Sequence, residues 1–186
     1  FLARGRLLIA HVIEHAGLTL LGKTELSTPA VSIADLISGG ESPSVEFKST
    51  LRKNLHTGQY DEKMQLSALK TVAGFLNGKG GTLLIGIADD GQALGLEADG
   101  FPSEDKMSLH LVNLVKDRLG EIAMPFVHPH FEDQDGKKIL VVRCEPGPKP
   151  TFVKDGALQR FFVRGGNATT ELQGNAVTDY VAVRFK

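Results

Sequence analysis

The chain has 186 residues, of which 41% are hydrophobic. This length and composition allow a hydrophobic core and do not indicate an intrinsically disordered chain. Its 21 basic and 22 acidic residues leave a formal net charge of −1, which excludes a strongly basic protein that coats DNA through its overall charge. Any nucleic-acid site must therefore be a local patch.

Cysteine content and hydropathy indicate the compartment. The single cysteine, Cys144, excludes an intrachain disulfide and a zinc site built from several cysteines, and its apolar surroundings predict a buried thiol. Charges interrupt the apolar stretches before they reach the ~20 residues that span a bilayer. We expect a cytoplasmic protein with no membrane span in this segment. Because the chain lacks an initiator Met, we also expect further domains of a longer parent chain.

Residues 1–40 are predicted to form an N-terminal helix and a linker. Residues 4–16 place apolar side chains at helical spacing, and Gly17 ends that pattern. Residues 32–40 begin with a variant of the capping box and end in two glycines, which predicts a short second helix. We assign the remaining residues, 41–186, to one domain.

The main domain is predicted to mix strands and helices without regular alternation. Residues 45–48 alternate apolar and charged side chains, which is typical of a half-exposed strand. The elements that follow are a helix at 60–77, a buried strand TLLIGIA, a turn at Asp90-Gly91, a helix from Ser103, strands near 126–132, 138–144, 151–154 and 159–164, and a helix at 175–185. This order favours an α+β fold with a mixed β-sheet flanked by helices over a doubly wound sheet.

Three carboxylates are candidates for a shared metal site. Glu41 lies five residues before Glu46, and a bend at Pro43 would bring it back beside Glu46. Asp89 follows the buried strand, with Asp90 as the second choice. Converging carboxylates repel one another unless a cation neutralises them, and hard oxygen ligands suit Mg²⁺ or Mn²⁺. Such a centre could activate water for attack on a phosphodiester.

Ordinary structural roles compete with each of these assignments. Glu46 and Lys48 on one strand face are typical of a solvated surface pair, and Asp89-Asp90 before a glycine is typical of a turn. Phe161 or Phe162 could stack on a base, although core packing is the default for both. The candidates for phosphate contacts are Lys48, Arg52, Lys53, Lys154, Arg160 and Arg164.

Several motifs, in order, resemble the AlbA-like domain of the Schlafen family. They are ESPSVEFK, AGFLN, GGTLLIGIADDG and FFVRGGNATTEL, and the match covers roughly residues 40–185. The resemblance implies a Schlafen/AlbA-like fold that engages DNA or RNA. In nucleolytic Schlafens two glutamates at this spacing and an aspartate after the strand form a metal-assisted endoribonuclease centre. The matching positions here are Glu41, Glu46 and Asp89.

The chain also differs from the animal Schlafens. They pair two such halves into a cradle and carry a zinc site, whereas this chain holds one copy and one cysteine, so we expect a homodimer. We predict a nucleic-acid-binding domain with a candidate metal-dependent endonuclease site. The alternatives are a non-catalytic DNA- or RNA-binding module of a larger protein and a protein-interaction or dimerisation module.

A P-loop ATPase is excluded by spacing and order. Residues 74–80, GFLNGKG, have one residue too few between the glycines, and glycine stands where Ser or Thr would bind Mg²⁺. The segment also follows a predicted helix and precedes a strand, which reverses the strand–loop–helix order of a P-loop. Its glycines are better explained by a helix end and a tight turn.

Overall fold

Two β-sheets and four α-helices make up residues 31–186, the part of the chain that the computed structural model describes; the predicted helix at 4–16 lies outside it. The helices are α1 (Ile33–Gly39), α2 (Glu62–Asn77), α3 (Glu104–Leu119) and α4 (Asn175–Arg184), with 3-10 helices at Glu97–Asp99 and Glu121–Phe126. The strands are β1 (Val45–Lys48), β2 (Gly81–Ile85), β3 (Val127–Gln134), β4 (Lys137–Cys144), β5 (Phe152–Asp155), β6 (Leu158–Gly165) and β7 (Ala168–Leu172). This content confirms the predicted α+β class. None of the described helices is both long enough and apolar enough to cross a membrane.

The first sheet is mixed, as predicted, and has the strand order β1-β2-β4-β3. β1 and β2 are parallel, and the other pairs are antiparallel. On one face Val45 and Phe47 belong to a core cluster with Ile33 of α1. This packing places α1 in the same compact unit as the sheets, a unit that begins at Ile33.

The other face of this sheet belongs to the main core, which also contains residues of α2 and α3. Glu46 and Lys48 pair in register with Leu83 and Ile85, and both of those side chains belong to the main core. Since side chains alternate along a strand, Glu46 and Lys48 lie on this face. The polar side chains of β1 therefore face the interior of the domain rather than its outer surface.

The second sheet, β5-β6-β7, is antiparallel and packs on both of its faces. Phe162 belongs to the main core, while Phe161 packs against Phe152 and against Tyr180 of α4, with ring centroids 5.0 and 5.9 Å apart. Phe161 and Phe162 are 1% and 3% exposed. Core packing, the default for both rings, is therefore observed, and neither ring is open to stack on a base.

Two buried polar groups support the core. The Asn77 side chain, at the end of α2, donates to the carbonyls of Thr151 and Phe162 and accepts the N–H of Thr151, each at 2.8 Å. It thereby joins α2 to the second sheet. Burial raises the pKa of the Cys144 thiol to about 12, which confirms the predicted buried cysteine and keeps it protonated at neutral pH.

Candidate functional site

The chain turns back on itself around Pro43, as predicted. Ser42 and Val45 exchange two backbone hydrogen bonds of 3.0 and 3.3 Å across this bend. The bend returns Glu41 to β1, where its Oε1 accepts the N–H of Phe47 at 2.9 Å. Because β1 lies at the edge of its sheet, Glu41 occupies a strand donor that would otherwise face solvent.

Glu46 is held between two positive charges. Its Oε2 accepts a hydrogen bond of 2.6 Å from Nη1 of Arg164, and its Oε1 pairs with Nζ of Lys48. The side chains of Glu46 and Arg164 are only 13% and 3% exposed. Both carboxylate oxygens are therefore engaged by the protein's own cations.

Arg164 joins the two sheets at this point. It lies on β6, and its Nη2 donates to the carbonyl oxygens of Ser42 and Val45 at 2.7 and 3.0 Å. Nη1 also reaches the hydroxyl of Thr169, its cross-strand neighbour, at 3.3 Å. We predicted a phosphate contact for Arg164, but these bonds commit both of its terminal nitrogens to the interior of the domain.

The three predicted metal ligands have different surroundings. Asp89 is exposed beyond β2, and Asp90 accepts the N–H of Gln92 at 3.0 Å within the predicted turn. Between residues 31 and 186, no group of three or more His, Cys, Asp or Glu side chains could hold a metal ion. Because Lys48 and Arg164 already balance the charge of Glu46, the arrangement does not fit a site for Mg²⁺ or Mn²⁺.

A cleft of about 340 Å³ opens instead at the carboxyl ends of β1 and β2, the usual place for ligands next to parallel strands. Lys48 and Lys53, two of the predicted cations, line it together with His56 and Asp89. Within residues 31–186, Lys53 has no ion-pair partner. The cleft also offers the hydroxyls of Ser49 and Ser67 and the amide of Asn54, whereas the buried Thr50 hydroxyl already donates to the carbonyl of Lys53.

Asp99 holds the loop that carries Lys53, and the sequence did not reveal this role. Its carboxylate is 1% exposed and accepts the backbone N–H groups of Leu51, Arg52 and Lys53 at 2.8, 2.8 and 3.1 Å. The only local signal is an acidic residue in a short 3-10 helix, and its partners lie 46 to 48 residues away. No spacing rule connects positions that far apart.

We expect Asp99→Ala to lower the free energy of unfolding by about 3 kcal/mol, because it leaves three N–H groups of this loop without their acceptor. Urea denaturation followed by circular dichroism measures this change. Glu97→Ala is the matched control, since Glu97 is an exposed acidic residue of the same 3-10 helix. Equal stability of the two variants would contradict the anchoring role of Asp99.

The other three predicted cations, Arg52, Arg160 and Lys154, have different surroundings. The Arg52 guanidinium lies 4.3 Å from the Tyr60 ring and 3.6 Å from the Phe101 ring and donates to the carbonyl of Asp99. Arg160 bonds Glu171 and Asp155, and these bonds raise the pKa of Arg160 and hold the pKa of Glu171 below its ordinary value. Lys154 is exposed on β5. Only Lys48 and Lys53 among the six candidates line the cleft.

Two solved structures are similar to this chain, and the first of them supports the α+β fold. The DIP2311 protein from Corynebacterium diphtheriae matches with a TM-score of 0.56 and 18% identity. The match covers 77% of this chain but only 24% of the DIP2311 protein. The N-terminal domain of an ATP-dependent DNA helicase RecG-related protein from Nitrosomonas europaea matches with a TM-score of 0.47 and 26% identity, over 70% of this chain and 85% of that domain.

The sequence comparison identifies the family. Residues 41–173 match the family described as Schlafen, AlbA_2, so the chain belongs to the Schlafen AlbA_2 family. This match confirms the resemblance drawn from the motifs. No curated protein matches the chain.

Proposed function

We propose that this domain binds the phosphate backbone of DNA or RNA at the cleft beyond β1 and β2, and that it binds without cleaving. The observation that carries the proposal is Lys53, which has no ion-pair partner within residues 31–186 and lines one cleft together with hydroxyl and amide donors. Lysines attract phosphates, and neutral donors bond phosphate oxygens without reading sequence. Membership of the Schlafen AlbA_2 family supports the same class of ligand.

The small number of cations in the cleft limits the expected affinity for nucleic acid and its dependence on salt. The chain is close to neutral overall, so attraction to nucleic acid must come from this local patch. Lys48 is already paired with Glu46, so the contact of Lys53 would release about one counterion, and the logarithm of affinity should fall against the logarithm of salt with a slope of about −1 on duplex DNA. We expect modest affinity with little dependence on base sequence.

The glutamates have structural roles in this proposal. Glu41 bonds a donor of the edge strand, and Glu46 forms the ion pair that joins β1 to Arg164. A nuclease centre would need these carboxylates free to hold a cation, whereas both oxygens of Glu46 are already engaged. The catalytic and metal-binding roles of Glu41, Glu46 and Asp89 stay predictions, which the cleavage measurement below tests.

Fluorescence anisotropy tests the proposal with labelled tRNA, single-stranded RNA and duplex DNA, at low and moderate salt. We expect binding that weakens as salt rises, and probes that keep their full length on a gel with or without Mn²⁺. If the chain binds none of the three probes at low salt, the proposal is wrong. Cleavage that requires Mn²⁺ and disappears in Glu46→Gln would instead establish the metal-dependent nuclease.

Assembly is a separate proposal. One copy of the domain would form half of a Schlafen-like cradle, so a homodimer would give a longer groove for nucleic acid. Light scattering on the purified chain tests this: a dimer mass supports it, and a monomer mass at high micromolar concentration contradicts it. Fusion to further domains of a longer parent chain is likewise proposed.

A further inference from the structure

A second basic cavity, of about 380 Å³, lies at the other end of β1 from the cleft. Pro43 and Ser44, which directly precede β1, form part of its wall. Three cations line it, Lys79, Arg164 and Arg184, and none of its lining residues is acidic. We call it the amino-end cavity, because it lies where β1 begins.

The turn between α2 and β2 forms one side of the amino-end cavity. Gly80 has a φ of +82°, and a Cβ there would lie 2.6 Å from the carbonyl oxygen of Cys144, so the turn requires glycine at this position. Arg184 of α4 donates from Nε and Nη2 to the carbonyl of Gly78 at 3.0 and 2.8 Å. This bonding fixes the Arg184 guanidinium against the turn that carries Lys79.

The positive charge in the cavity is not fully balanced by the protein. Glu46 pairs with Arg164, but Lys79 and Arg184 have no acidic partner among residues 31–186. Within the same residues, Nε of Arg164 is buried without a hydrogen-bond acceptor, although its other two nitrogens are used. The two cations without an acidic partner, Lys79 and Arg184, therefore leave the cavity with a positive charge that favours an anion.

We propose that the amino-end cavity binds the phosphoryl group of a phosphate monoester or of free phosphate. A phosphate dianion suits this lining because Nη1 of Arg184, which the bonds to Gly78 leave free, and Nζ of Lys79 can each donate to a phosphate oxygen. The site is unlike a P-loop, since its turn runs from a helix into a strand and two arginines complete it. It is separate from the cleft and does not rest on the proposed function.

Isothermal titration tests the proposal with three probes: inorganic phosphate, a short oligonucleotide with a 5′-phosphate, and the same oligonucleotide with a 5′-hydroxyl. We expect phosphate to bind, and the phosphorylated end to bind more tightly than the hydroxyl end. Tighter binding of the phosphorylated end than of inorganic phosphate would identify a nucleic-acid terminus as the source. Equal binding of these two would identify the phosphate group alone.

Matched variants locate the binding. Lys79→Ala removes an exposed cation of the cavity and should weaken phosphate binding about tenfold, as should Arg184→Gln. Lys106→Ala, which removes an exposed lysine that does not line the cavity, should leave it unchanged. Absence of phosphate binding by the unmodified chain, or equal binding by Lys79→Ala and Lys106→Ala, would overturn the proposal, and neither result would affect the cleft.

Discussion

Replacing Glu46 with glutamine is expected to lower the free energy of unfolding by about 3 kcal/mol, because the change leaves Arg164 as a buried charge without its carboxylate. Glutamine can still accept one hydrogen bond, but it cannot balance the charge of a side chain that is 3% exposed. Arg164 also donates to the carbonyls of Ser42 and Val45 at the bend around Pro43, so we expect that bend to loosen when Arg164 loses its carboxylate.

Urea denaturation measures the effect of Glu46→Gln. Glu121→Gln serves as the control, since Glu121 is 78% exposed and its pair with Lys116 lies at the surface, where such pairs contribute little. A Glu46→Gln protein as stable as the unmodified chain would contradict the structural role of Glu46. Loss of a Mn²⁺-dependent cleavage in that stable variant would restore the catalytic interpretation.

Reversing the charge of Lys53 should have the largest effect on binding. Lys53→Glu replaces the cleft lysine that has no ion pair within residues 31–186 with a repulsive charge, so we expect affinity for each nucleic acid to fall about tenfold or more at low salt. Lys53→Ala should weaken binding less and make the salt slope shallower by about one unit. The fold should persist, because the bond from Lys53 to Asp99 uses the backbone N–H.

Fluorescence anisotropy compares Lys53→Glu with Lys106→Glu, which changes the net charge by the same amount. Lys106 is exposed on α3 and does not line the cleft. We expect Lys106→Glu to bind almost as the unmodified chain does. If both variants lose the same affinity, overall charge rather than the cleft attracts the nucleic acid, and the proposed interface is wrong.

Elements with strong local signals could be predicted closely from the sequence. The helix predicted at 60–77 is observed at Glu62–Asn77, and the helix predicted to begin at Ser103 is capped by that hydroxyl. Apolar period and capping residues act within a few positions, so they are visible without tertiary structure. β7 was not predicted, although the Gly-Gly-Asn run before it could have indicated a hairpin.

The candidate site could be predicted only where its geometry is local. The bend at Pro43 and the return of Glu41 follow from a few neighbouring residues, and both are observed. The partner of Glu46 is Arg164, which lies 118 positions later. No spacing rule connects these two residues, so the sequence does not show that Arg164 pairs with this carboxylate.

The cations illustrate the same limit. Residues 48–53 contribute three predicted contacts, yet Arg52 packs between two aromatic rings while Lys48 and Lys53 line the cleft. The sequence pattern identifies a positively charged segment, but it does not show which of its side chains packs against other residues and which lines the cleft. That choice depends on partners such as Asp99, Tyr60 and Phe101, which only the folded chain brings together.

The central claim is that the cleft at the ends of β1 and β2 holds the nucleic-acid backbone, and an NMR titration tests it most directly. Amide chemical shifts of the chain are followed as a short single-stranded RNA is added at low salt. We predict that the shifts that move most belong to residues 48–56 and to the turn that carries Asp89. Shifts confined to β3 or to α3, with residues 48–56 unchanged, would contradict the account.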